Sequence, residues 1–239
     1  HMAAFHTSFN IINTIVFLPF INVLVAIAKK LVPDDETPSE FHLKYISTVL
    51  VSTPSININQ ARLEMERMME IAVRMFDTVV DIFTHPEDKL GKKIEEVLKM
   101  ENQLDLLEKE ISDFLVKVSR NNLGRDQSDE ITTILHKVGE LESIGDQCEA
   151  ILKLIRRKYE KKLAFSETGK KEMLEMAGKT REFLELISKH ITSVTTNIMT
   201  EAEVIENRID ELKRELRKQH VRRLNADQCE VEPGIIFID

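Results

Sequence analysis

The chain has 239 residues, enough to bury a hydrophobic core, and its 7 Gly, 6 Pro, 2 Tyr and absence of Trp describe a helical protein with few turns. A formal net charge of −8 excludes a general nucleic-acid-binding role, because a polyanion would be repelled. Two cysteines, Cys148 and Cys229, give no disulfide framework, fit a reducing compartment and read as small apolar core residues.

His1-Met2 is expected to be an expression remnant and carries no argument. From Ala3 to Ala28 there is no Asp, Glu, Lys or Arg, and residues 5–28 as a helix span about 36 Å, enough to cross a hydrocarbon core. Lys29-Lys30 closes the run and, by the positive-inside tendency, places the chain after residue 30 on the cytoplasmic side. Asn10, Asn13, Asn22 and Pro19 would be costly facing lipid alone, so the segment is expected to pack against other membrane helices as the last piece of a larger protein. A buried helix in an oligomer is the alternative. Residues 1–32 are therefore assigned to the remnant and a last membrane span, and the polar, proline-bearing residues 33–40 to a linker.

The helical unit is expected to begin near Phe41. Thr53-Pro54 provides a cap and a first-turn proline, after which Ala61, Met65, Met68, Ala72, Met75, Phe76 and Val79 recur at helical spacing. This methionine stripe reads as core. His85-Pro86 stops that helix, and a second is predicted over 88–120 with Ile94, Val97, Leu104, Leu107, Ile111, Phe114 and Val118 as its apolar stripe. Ser128 with Asp129 is expected to open a third, carrying Ile131, Ile134, Val138, Leu141, Gly145, Cys148, Leu152 and Ile155 and fading near Lys162. Short links between three long helices predict an antiparallel bundle, residues 41–164. A fourth helix over 166–199 and a fifth over 201–225 restart the pattern, so 165–239 is expected to be a second three-helix unit, incomplete at its C-terminal end.

Two stretches are near-repeats: Glu101-Asn-Gln-Leu-Asp105 and Glu206-Asn-Arg-Ile-Asp210 share a Glu-x-x-x-Asp pair, and Glu142 with Asp146 forms a third. Acids four apart on a helix repel by about 0.2–0.5 kcal/mol unless something offsets it. Glu101 and Asp105 lie roughly 60° and 100° around the helix from Leu104, Glu142 and Asp146 roughly 40° and 80° from Val138, and Glu206 and Asp210 roughly 60° and 100° from Ile209. All three pairs thus border their apolar stripes, where antiparallel neighbours can merge two pairs into one patch. Four carboxylates suit hard ions, iron or manganese. A single such pair ordinarily faces water and pairs with Lys or Arg, and that solvated reading stays open beside the metal reading.

No histidine reinforces these acids, and no phosphate loop, nucleophile elbow, Cys-x-x-Cys or His-Glu-x-x-His motif occurs, so no enzyme is indicated. Basic residues crowd downstream of two motifs, from Lys153 to Lys162 and from Lys213 to Arg223. They read as charges complementing helix C-termini, with contact to anionic headgroups or a phosphate-bearing partner as the alternative.

Glu142-Ser-Ile-Gly-Asp146-Gln-Cys-Glu-Ala-Ile resembles the Glu-Arg-Ile-Gly-Asp-His-Ala-x-Asn-Ile signature of PhoU proteins, regulators of phosphate uptake, departing from it at Ser143, Gln147 and Cys148. The segment 101–111 resembles that family's other acidic helix. The resemblance implies an all-α fold of PhoU-like tandem antiparallel three-helix bundles, here with a truncated second bundle and a preceding hydrophobic helix. It further implies an iron or other divalent or trivalent metal cluster held by Glu101, Asp105, Glu142 and Asp146, with Glu206 and Asp210 as half of another. The stretch from Ala3 to Phe20 resembles the last transmembrane segment of bacterial sodium/phosphate cotransporters, some of which carry a PhoU-like tail.

Together these imply a cytoplasmic regulatory domain at the bacterial inner membrane that modulates sodium-dependent phosphate uptake. Expected partners are the transmembrane part of the same transporter, the membrane, phosphate-regulation proteins and a second copy of the chain. A metal-free helical adaptor or dimerisation domain and a stand-alone phosphate-signalling regulator are the competing readings.

Overall fold

The computed structural model describes residues 9, 43–46, 53–85, 90–193 and 196–226. The predicted membrane span apart from Phe9, the linker at 33–40 and the segment after 226 lie outside them. Among the described residues no helix is long and apolar enough to cross a membrane. The described residues from Leu43 onward belong to one compact unit.

Every regular element described is a helix: α1 (Pro54–Thr84), α2 (Leu90–Ser119), α3 (Arg125–Glu160), α4 (Glu167–His190) and α5 (Thr196–Asn225). The all-α expectation holds. Helices α1, α2 and α3 pack mutually as a three-helix bundle. Gln127 Nε2 donates to Ser55 Oγ at 3.0 Å near the start of both helices, and Tyr159 reaches the Ile82 carbonyl near their ends, so α1 and α3 run parallel with α2 antiparallel between them. The methionine stripe of α1 is core: Met65, Met68, Met69 and Met75 are at most 1 % exposed, facing Leu104, Leu107, Ile111, Leu152 and their neighbours. Burial of such side chains, about 1.5–3 kcal/mol each, drives the assembly.

Pro54 starts α1 after Thr53, whose extended backbone suits an N-cap although its side chain makes no capping hydrogen bond. Within α1, Glu64 is wholly buried and accepts from the Tyr45 backbone N–H at 2.5 Å and from Arg67 Nη1 at 2.9 Å. At the far end Asp81 binds Lys93 of α2 and, within its own turn, His85, which in that order hold its carboxyl below the usual range.

The third helix begins earlier than its Ser128-Asp129 signal suggested. Gly124 is the N-cap, and Gln127 Oε1 accepts from its N–H at 3.1 Å, a back-bond that adds most of a turn ahead of Ser128. The helix ends in a Schellman turn: Leu163 N donates to Lys158 O at 2.9 Å, Lys162 N to Tyr159 O at 3.0 Å, and Lys162 takes a left-handed φ of 54°.

The boundary predicted near residue 200 falls earlier, α4 ending at His190 and α5 beginning at Thr196. The run Ile-Thr-Ser-Val-Thr-Thr at 191–196 is β-branched and hydroxyl-rich, and such residues favour turns over helix interiors. Lys137 of α3 donates to the Ile191 carbonyl, satisfying the end of α4 with a cation. Helix α4 also lies along α1, where Arg181 Nε meets Asp77 Oδ1 at 2.6 Å. Helix α5 packs on α4, joined by the buried bidentate pair of Arg223 with Glu172 at 2.6 and 2.5 Å.

Candidate metal site

The α2 and α3 acids come together because the helices run antiparallel and close tightly at one level. At Gly145 an added Cβ would sit 2.7 Å from Leu104 Cδ1, closer than side-chain carbons approach. Gly145 and Leu104 each immediately precede an acid, so this contact sets Asp146 beside Asp105. Oxygens of Glu101, Asp105 and Asp146 all lie within 4.8 Å of one another. Glu101 is half-buried at the rim of the core, while both aspartates open to solvent.

Glu142 does not enter that tightest group but shares its field. Burial first, then Asp146 and Asp105, push the Glu142 carboxyl above its usual range, against a small opposing bond from Ser143. Glu101 is likewise raised, by burial and then by Asp105, Glu149 and Asp146. Asp105 rises through burial, then through Asp146 and Glu149. Among the described residues no Lys or Arg forms an ion pair with Glu101, Asp105, Glu142 or Asp146; the nearby Lys153 binds Glu149 at 2.5 Å.

Glu108 and Glu149 act on the same patch and were missed in the pairwise reading of the sequence. Their signal was present: Glu101-Asp105-Glu108 and Glu142-Asp146-Glu149 share Glu-x-x-x-Asp-x-x-Glu, two full turns of one helix edge. The third copy departs there, because Lys213 follows Glu206 and Asp210. Those two residues are exposed on α5, and among the described residues no other acid joins them in a cluster.

The arrangement fits a cation. Its donors are all carboxylate oxygens, which favour hard ions, and among the described residues its acids are crowded with no ion pair to a cation, Lys153 acting on Glu101 only from a distance. A multiply charged ion there would offset both the burial and the mutual repulsion that raise Glu101, Asp105 and Glu142. Cys148 is no ligand: it is 2 % exposed in the core, as its composition-based reading anticipated, and burial pushes its thiol to about 12.

Residues 65–155 match the family model described as PhoU domain. The match covers most of α1 to α3, including both acid triplets, and stops before Glu206 and Asp210. Curated relatives include the "Putative inorganic phosphate export protein YjbB" of Escherichia coli (strain K12), 22 % identical over 171 residues, or 71 % of this chain and 31 % of that protein. The protein of the same name from Shigella flexneri is 22 % identical with the same coverage, and that from Escherichia coli O157:H7 is 23 % identical. The chain thus spans about a third of the length of these relatives, 31 %. No solved structure matches.

Proposed function

We propose that this chain is a PhoU-type regulatory domain of a phosphate-transporting membrane protein, controlled through a hard cation at the α2–α3 seam. The observation that carries the reading is the convergence of Glu101, Asp105 and Asp146 within 4.8 Å, with Glu142 in the same field, inside the segment that matches the PhoU domain. Glu101, Asp105, Glu142 and Asp146 would hold the ion, iron or another divalent or trivalent metal. Glu206 and Asp210 would hold one only with acids from beyond the described residues.

In this reading residues 3–28 are the last span of the transporter, in the bacterial inner membrane, and the helical unit works from the cytoplasmic side on the membrane part of the same protein. The names of the relatives speak for phosphate export, whereas the resemblance at residues 3–20 speaks for sodium-coupled uptake. Both support a role in inorganic phosphate movement.

Phosphate flux through the whole protein in vesicles tests the regulatory reading, with and without residues 40–239 and in both directions. Flux unchanged by their removal would overturn it, and the direction that responds separates export from uptake. Metal content of protein purified without chelator tests the cation. A wild-type chain that binds no more metal than Asp105→Asn with Asp146→Asn sinks it and leaves a metal-free adaptor.

A further inference from the structure

Away from the acids, α1, α3 and α4 enclose an open apolar cavity of about 280 Å³, lined by Phe76, Phe83, Ile151, Phe165, Leu174 and Ala177 among others. Its lining is apolar but for Lys158 and Thr180. Ile151 and Leu174 stay 39 % exposed on its open side, an uncovered apolar surface.

Lys158 is the feature a plain packing defect would lack. The residue is 8 % exposed, lines the cavity and forms no ion pair among the described residues. Its ammonium rests 4.4 Å from the Tyr159 ring centroid and 5.4 Å from that of Phe165, partial compensation for lost water. Burial, then the charge of Lys170, lowers its pKa. A desolvated cation at an apolar cavity is complementary to an anion carrying a hydrocarbon tail.

We propose that this cavity binds a single-chain amphiphile, a medium-chain fatty acid, with its tail along Phe76, Ile151 and Leu174 and its carboxylate on Lys158. At about 30 Å³ per water-sized group, the volume admits a single tail of on the order of ten carbons, which favours a free fatty acid over a two-chain membrane lipid. The site is independent of the cation reading, since it shares no residue with the acidic seam.

Displacement of a small neutral fluorescent probe, 1-aminoanthracene, from the full chain by decanoate and by decanol tests this. Decanoate should compete at least about tenfold better than decanol, the increment of one charge-assisted contact. Lys158→Met should erase that difference, Lys158→Arg should keep it, and Ala177→Phe, which fills the cavity without altering charge, should abolish probe binding. Circular dichroism and melting of each variant report folding separately. Equal competition by acid and alcohol, undiminished decanoate binding by Lys158→Met, or probe binding only in the presence of anionic vesicles would overturn the assignment.

Discussion

Gly145 and Leu104 meet where a single extra carbon would stand 2.7 Å from Leu104 Cδ1, and this contact closes α2 on α3 beside Asp105 and Asp146. Gly145→Ala should gain about 1 kcal/mol of helix propensity and lose a similar amount in displacing that methyl, leaving stability within about 1 kcal/mol of wild type. Gly145→Leu cannot be absorbed by one rotated side chain and should cost about 1–3 kcal/mol. Metal affinity should fall in the same order, alanine before leucine, because the carboxylates separate. Denaturant melts and metal titration of the same samples check both.

Asp105→Asn should change the sign of its effect with metal. Without a cation the substitution removes like-charge repulsion and should stabilise by a few tenths of a kcal/mol. With saturating cation it should destabilise relative to wild type, because the wild-type gain, about 2.7 kcal/mol at a hundredfold excess over Kd, is lost. Thermal melts with chelator and with added metal read both signs.

The same acids give the protein an unusual response to pH. Glu101, Asp105 and Glu142 have folded pKa values raised above their unfolded ones, so the folded chain binds more protons between the unfolded carboxylate range, about 4, and those raised values. Their contribution therefore favours folding below that window and is lost as pH rises through it. Asp81 works oppositely: its folded pKa is depressed, and its contribution is lost as pH falls through the depressed value. In chelator, Glu101→Gln with Asp105→Asn should flatten the stability loss on raising pH through this window. An unaltered stability–pH profile would count against the shared field.

Breaking the Glu172–Arg223 pair should loosen α5 from α4. Both side chains are largely buried, at 8 and 13 % exposure, so Arg223→Met leaves a carboxylate without its counter-charge, a change that costs about 3–5 kcal/mol in comparable sites. Glu172→Leu combined with Arg223→Met should recover most of it. Hydrogen exchange should show faster opening across α5 while the α1–α3 amides keep their protection.

Lys162→Gly should stabilise the protein by up to about 1 kcal/mol, because lysine holds a left-handed φ of 54° at the end of α3 that glycine adopts without strain. An alanine there should give no gain. Denaturant midpoints of the two variants decide it.

Periodicity made most of the bundle legible: the apolar stripes of α1, α2 and α3 are the buried residues, and the acid pairs do border them. The helix ends were harder. The start of α3 depends on a Gln127 back-bond to a glycine cap, a weaker sequence signal than Ser128-Asp129, and the end of α4 depends on Lys137 from another helix. The acid patch was half visible. Reading pairs four apart found Glu101, Asp105, Glu142 and Asp146, but extending by one turn was needed to add Glu108 and Glu149 and to notice that Lys213 breaks the third copy. The cavity at Lys158 had no linear signature, because its walls come from three helices and its cation sat within a run of basic residues.

Glu64 turns the entry to the helical unit into a mechanical anchor. Losing the Tyr45 N–H contact would leave a wholly buried carboxylate relying on Arg67. Because Glu64 lies inside α1, among the buried Ala61, Met65 and Met68, this bond ties a residue well ahead of the helix to its buried face and not to its first turn.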